Sequence, residues 1–242
     1  MSDIARDPWA RLRAATPARI GLGRVGAGLP TDGTLEFQFA HARARDAVHR
    51  ALDTQALAAD LAPLPVIHAR SAAPDRATYL RRPDLGRRLG DWSAPEPQDC
   101  DVAFVVADGL SSDAVQTHAA PVLAACVDRL TGVSIAPVTI VTQGRVAIGD
   151  EIGQHLGARV VIMLIGERPG LTVADSLGAY VTFGPRPDRK DSERNCVSNI
   201  HGTGGLSHQL AADRITWLAR EALRLSLSGT GLKENSDQVL LD

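Results

Sequence analysis

The run Val160-Val161-Ile162-Met163-Leu164-Ile165 is cut off by Gly166-Glu167-Arg168-Pro169-Gly170, and it constrains the fold more than any other stretch. Four of its six residues are β-branched, and it stops too soon for an ordinary helix. Such a run reads as a strand buried on both faces, which requires neighbouring strands and helices above and below. In open sheets of this kind ligands lie beyond the carboxyl ends of the strands. The turn from Gly166 to Leu171 is therefore where chemistry is expected.

The surrounding pattern agrees. Val66–Arg70, Asp101–Ala107 and Ile135–Val141 read as further strands, and Tyr180–Phe183 as an edge strand. Between them, Asp108-Gly109-Leu110-Ser111-Ser112-Asp113 opens a helix through Leu130, Asp84 can cap a helix from Leu85, and Asp150 can cap a short helix from Glu151. A last helix from about His208 to Leu227 shows Ala211, Ile215, Leu218, Ala222 and Leu225 as an apolar stripe. This alternation predicts an α/β fold: a Rossmann-like, doubly wound, mostly parallel sheet. The beginning differs, with a short helix over Asp7–Ala15, a glycine-rich connection and a helix over Thr34–Leu61. The expected division is residues 1–62 as a small helical N-terminal domain and 63–242 as the Rossmann-like domain.

Composition removes several functions. A net charge of −2 with 22% charged residues gives no bulk-charge basis for binding nucleic acid or a membrane surface. No run approaches the roughly 20 apolar residues of a membrane span, and the first residues lack a secretory pattern. Cys100, Cys126 and Cys196 are odd in number and widely spaced, which points to a reducing cytoplasm rather than a disulfide framework or structural zinc.

Gly21-Leu22-Gly23-Arg24-Val25-Gly26 matches the dinucleotide fingerprint in letters only. No hydrophobic strand precedes it and no helix directly follows, so it reads as a loop. Residues 108–113 serve equally as an ordinary helix cap or as amides and hydroxyls for a polar ligand. Ser111 lacks a nucleophile-elbow setting, the seven histidines contain no HExxH pair, and His201 and His208 read as loop residues rather than metal ligands. No catalytic or metal-binding set is expected. A ligand-ready sheet edge without acid, base or nucleophile suggests a cofactor-binding subunit. A stand-alone Rossmann-like enzyme acting on a small polar metabolite and a purely structural subunit stay open on the residues alone.

Three segments are more specific: Gly144-Arg145-Val146-Ala147-Ile148-Gly149-Asp150-Glu151-Ile152-Gly153, Gly166-Glu167-Arg168-Pro169-Gly170-Leu171 and Arg194-Asn195-Cys196-Val197-Ser198-Asn199-Ile200-His201. With Tyr79–Leu89 and Asp108–Ala114 they closely resemble the small (light) subunit of ethanolamine ammonia-lyase, over the chain from Arg19 to Leu225. The resemblance implies a role in an adenosylcobalamin-dependent lyase that converts ethanolamine to acetaldehyde and ammonia by a radical mechanism. It implies a large TIM-barrel partner subunit that binds ethanolamine, with the corrinoid held between the two chains. It carries cofactor contact onto Val146, Glu167 and Cys196. Each has a plainer alternative: Val146 as core, Glu167 as a surface partner of Arg168, Cys196 as a small buried hydrophobe.

Cobalamin is large, mostly uncharged and rimmed by amides, so an acceptor carboxylate at a strand end suits it. The DxHxxG signature of base-off cobalamin folds is absent, so cobalt is expected to receive no ligand from this chain. The resemblance further implies residence in the bacterial cytoplasm. The beginning, shorter than in many relatives, leaves packaging into a bacterial microcompartment open. The segment after Tyr180 is also slightly shorter than the resemblance leads one to expect.

Overall fold

The computed structural model describes residues 7–236 apart from Pro17, Ala94 and Gln98. The strands are β1 (Val66–Ser71), β2 (Leu89–Trp92), β3 (Val102–Ala107), β4 (Val138–Thr142), β5 (Val160–Gly166), β6 (Leu177–Phe183) and β7 (Asn195–Ile200). The helices are α1 (Ala10–Ala15), α2 (Thr31–His49), α3 (Thr54–Asp60), α4 (Arg76–Arg81), α5 (Ser112–Arg129), α6 (Ile148–His155) and α7 (His208–Leu225). The strands form one sheet in the order β2-β1-β4-β3-β5-β6-β7.

The expected α/β class holds, and the four central strands are parallel. The sheet as a whole is mixed, because β2, β6 and β7 join antiparallel. Every residue of β3 and β5 is buried, as their unbroken apolar runs require. On one face, Phe104, Ile140, Ile162, Leu164 and Val181 meet α5 and α7. On the other, Val105, Val141, Val161 and Met163 meet Ile148, Ile152 and Leu156 around α6. That second layer is thin: α6 has only eight residues.

Several boundaries depart from the sequence pattern. The helix expected over Thr34–Leu61 is two, because Asp53 takes an extended backbone and accepts hydrogen bonds from the Gln55 and Ala56 amides. Tyr180 does not lie on an edge strand. β6 pairs with β5 through all seven of its residues and carries β7 on its far side. The helix expected after Asp84 is a single 3-10 turn, Leu85–Arg87. Asp150 does not cap α6; it lies within the first turn, and its carboxylate points elsewhere.

That carboxylate receives a bidentate hydrogen bond from Arg194, at 2.7 Å on both arms, with both side chains almost wholly buried. Arg194 also donates to the Arg189 carbonyl at 2.9 Å and to the Thr182 hydroxyl at 3.3 Å. The pair ties α6 to the start of β7. Removing one partner strands a buried charge, so Asp150→Ala should lower stability by about 3–5 kcal/mol in urea unfolding. Asp150→Leu combined with Arg194→Met should lose much less; an equal loss would show that the pair's attraction exceeds its burial penalty.

Candidate cofactor cleft

Connections leave neighbouring strands toward opposite faces: β3 runs on into α5, and β4 into α6. Loops that part in this way leave a crevice above the strand ends. Asp108, the first residue beyond β3, holds the crevice together. Its buried carboxylate accepts hydrogen bonds from the Gln143 and Gly144 amides, each at 3.0 Å, and from Arg76 at 3.2 Å. Burial pushes the Asp108 carboxyl above its ordinary range, while Arg76 and the two amides oppose that push. Next to it Gly109 adopts φ +55°, and a side chain there would run into the Gly166 carbonyl. Leu110 donates its amide to that carbonyl at 2.9 Å, joining the loop after β3 to the end of β5.

The hydroxyls of this turn are already engaged. Ser111 accepts from the Ala114 amide at 3.3 Å and donates to the Ala174 carbonyl at 2.8 Å. Ser112 donates to the Arg50 carbonyl at 2.8 Å. The cap reading therefore describes Ser111, while the Ser112 hydroxyl is tied to the end of α2. Arg145 donates its amide to the Gly86 carbonyl at 2.7 Å, and its guanidinium lies 4.4 Å from the centre of the Tyr79 ring. Tyr79 in turn donates its hydroxyl to the Gly144 carbonyl at 2.9 Å. A side chain at Gly86 would come within 2.8 Å of Tyr79 and 2.9 Å of Arg145, so glycine makes this stack possible.

Two adjoining hollows result. One, of about 340 Å³, is lined by Pro83, Arg87, Ala147 and Asp191. The other, of about 310 Å³, is lined by Leu110, Ile165, Glu167 and Arg168 among others. Arg145, Val146 and Tyr180 line both. Val146 is thus half-buried wall as well as core neighbour.

Glu167 is fixed from one side only. Its Oε2 accepts a hydrogen bond from the Ser176 hydroxyl at 2.6 Å and a longer one from the Asn199 amide at 3.4 Å. Its partner is Ser176; among the described residues no ion pair joins it to Arg168. Cys196 faces Tyr180 in the β6–β7 register and stands on the solvent side of β7. The structure thus brings Val146 and Glu167 to one cleft, and places Cys196 beside the Tyr180 that lines it.

Tyr180 and Arg145 are the residues that sequence reasoning did not single out. Among the described residues no group of three His, Cys, Asp or Glu is arranged to hold a metal ion. His201 is buried and engages Asn199 at 2.8 Å, and His208 engages His118 at 2.9 Å.

The thiol of Cys196 is held above its ordinary pKa, first by desolvation against its neighbours and further by the Glu167 carboxylate; the Tyr180 hydrogen bond pulls the other way. Alkylation of Cys196 by iodoacetamide should therefore rise with pH through a midpoint above that of a free cysteine. Tyr180→Phe should move the midpoint higher still, since it deletes the one contact that lowers it. A midpoint below free cysteine, followed by mass spectrometry, would show an activated thiolate instead.

Residues 6–233 match the family model described as ethanolamine ammonia-lyase light chain (EutC). A relative from Azotobacter vinelandii named ethanolamine ammonia-lyase small subunit is 52% identical over 253 residues, covering 100% of this chain and 93% of its own length. A protein of the same name from Xanthomonas campestris pv. campestris is 53% identical, covering 98% and 91%. One from Pseudomonas putida is 50% identical over the same shares. The chain belongs to the ethanolamine ammonia-lyase light chain family.

Proposed function

We propose that this chain is the cofactor-orienting small subunit of an adenosylcobalamin-dependent ethanolamine ammonia-lyase. Ethanolamine is bound, and converted to acetaldehyde and ammonia, on a large TIM-barrel partner. The observation that carries the reading is the meeting of Val146, Glu167 and Tyr180 in one open cleft at the strand ends, with Cys196 alongside. In this reading residues 63–242 form a Rossmann-like cobalamin-binding domain, with 1–62 as a small helical domain. The complex works in the bacterial cytoplasm. Among the described residues no helix is long and apolar enough to cross a membrane.

The donor set fits such a ligand. Val146, Leu110 and Ile165 give apolar wall, Glu167 gives an acceptor, and the buried Nε of Arg145 has no hydrogen-bond partner. Two shallow hollows suit one side of a large ligand whose other side meets a second chain. When bound, adenosylcobalamin supplies a weak carbon–cobalt bond as the radical source. Val146 covers apolar ligand surface. Glu167, steadied by Ser176, accepts a hydrogen bond from an amide of the ligand and so fixes its orientation. Cys196 and Tyr180 close the side toward β7 and exclude water. Tyr180 stays protonated, because burial and the adjacent Cys196 raise its phenol above the ordinary range.

A stand-alone enzyme would need more in this cleft than the Glu167 carboxylate: a nucleophile or a second acid–base group beside it. The hydroxyls nearest the strand ends are committed, and the Cys196 thiol is held protonated. The purified chain should accordingly show no turnover of ethanolamine with adenosylcobalamin until a matching large subunit is added.

A charge-assisted hydrogen bond contributes about 1.5–3 kcal/mol, so Glu167→Ala should weaken cofactor binding by roughly 10- to 100-fold. The rate at saturating cofactor should change much less. Apparent affinity and saturated rate of the reconstituted complex separate the outcomes. Intact affinity with a collapsed rate would overturn this assignment.

A further inference from the structure

We propose that Arg145, assisted by Arg87, forms an anion subsite that takes the phosphodiester of the cofactor's nucleotide loop; this rests on the cobalamin reading above. Arg145 is the most unusual cation in the cleft. Its guanidinium is held over the Tyr79 ring, and its Nε is buried. Among the described residues the side chain has neither a hydrogen-bond acceptor nor a carboxylate partner. Two other buried arginines are spoken for: Arg76 pairs with Asp108, and Arg194 with Asp150. A guanidinium partly withdrawn from water, with its flat face on an aromatic ring, keeps its donors free for a planar or tetrahedral anion.

The surroundings favour an anion over a neutral ligand. The lobe of about 340 Å³ places Arg87, exposed and unpaired among the described residues, on the same lining as Arg145. The single acidic lining group of that lobe, Asp191, lies 3.6 Å from Arg194. The opposite lobe holds the carboxylate of Glu167. Each lobe thus holds one carboxylate and two guanidiniums, with Arg145 shared, Arg87 in one and Arg168 in the other, so cations outnumber acids along the whole lining. Cobalamin offers a partner to each kind of group: neutral amides around the corrin for a carboxylate, and one anionic phosphodiester, in the loop that carries its nucleotide, for a guanidinium. Placing amides at Glu167 and the phosphodiester at Arg145 fixes which way round the ligand lies.

The test is corrinoid binding to the reconstituted complex, read by absorbance or equilibrium dialysis without turnover. Adenosylcobalamin is compared with adenosylcobinamide, which keeps the corrin and adenosyl group but lacks the phosphodiester and nucleotide. Arg145→Gln should weaken adenosylcobalamin by about 10- to 100-fold, the size of a lost charge-assisted contact. Its effect on adenosylcobinamide should stay within about twofold, since the two losses couple only if the groups touch. Arg145→Lys should recover part of the affinity as a point charge.

Arg87→Gln, at an exposed position that does not endanger folding, should show the same selective loss on a smaller scale. It decides the matter alone if Arg145→Gln fails to fold. Equal weakening of both corrinoids would make Arg145 a packing residue on Tyr79 and overturn the proposal. So would unchanged affinity for adenosylcobalamin. A wild-type complex that binds neither corrinoid would instead overturn the cobalamin reading itself.

Discussion

The buried carboxylate of Asp108 is the contact on which the strand-end architecture depends. A carboxylate taken out of water is costly unless donors surround it, and here each donor is also a structural commitment. The Gln143 and Gly144 amides fix the exit of β4. Arg76 brings in the segment after β1, and reaches on to the Gly109 carbonyl at 2.9 Å and the Val48 carbonyl at 2.7 Å. Arg76 also lies 4.8 Å from the centre of the Tyr79 ring, whose hydroxyl closes the circuit at Gly144. One side chain thereby decides the path of Gly144-Arg145-Val146, the segment that lines both halves of the cleft.

The two faces of the sheet carry different duties. Against α5 and α7 the packing is continuous, from Phe104 through Ile162 to Val197 and Ile200. Against α6 it ends at Tyr180, and the β6–β7 corner is held down by a buried ion pair instead of apolar contact. A polar anchor there leaves Cys196, Ser198 and Asn199 exposed beside the cleft.

Much of this was legible in the chain. β3 and β5 announce themselves because doubly buried strands leave no room for polar residues, and Glu167 follows from its place just past one of them. β2 was hidden because Gly90 and Asp91 interrupt its short run, as edge strands tolerate. β7 was hidden because only Val197 and Ile200 face the dense core; the remaining positions are polar or exposed. Asp150 misled for a definite reason: an acidic residue at the start of a helix looks like a cap whether it bonds amides or a distant arginine. Val146 and Cys196 entered through resemblance rather than chemistry. Tyr180 and Arg145 owe their positions to the register of β6 and to a stack on Tyr79, both set by partners far away in sequence.

The antiparallel end of the sheet gives the cleft two halves with different histories. Residues 160–200 form a meander in which β5, β6 and β7 pair with their chain neighbours. Arg145 and Val146 instead reach their place through crossovers that pair Val66 with Val138 and Val105 with Thr139. Closing long loops before any contact repays the entropy is slow, whereas neighbouring strands zip up quickly. The wall that carries Glu167, Tyr180 and Cys196 can therefore exist before the wall opposite it. Completion of the cleft requires Gln143 and Gly144 to reach Asp108, so its two walls join through contacts between residues more than thirty positions apart in the chain.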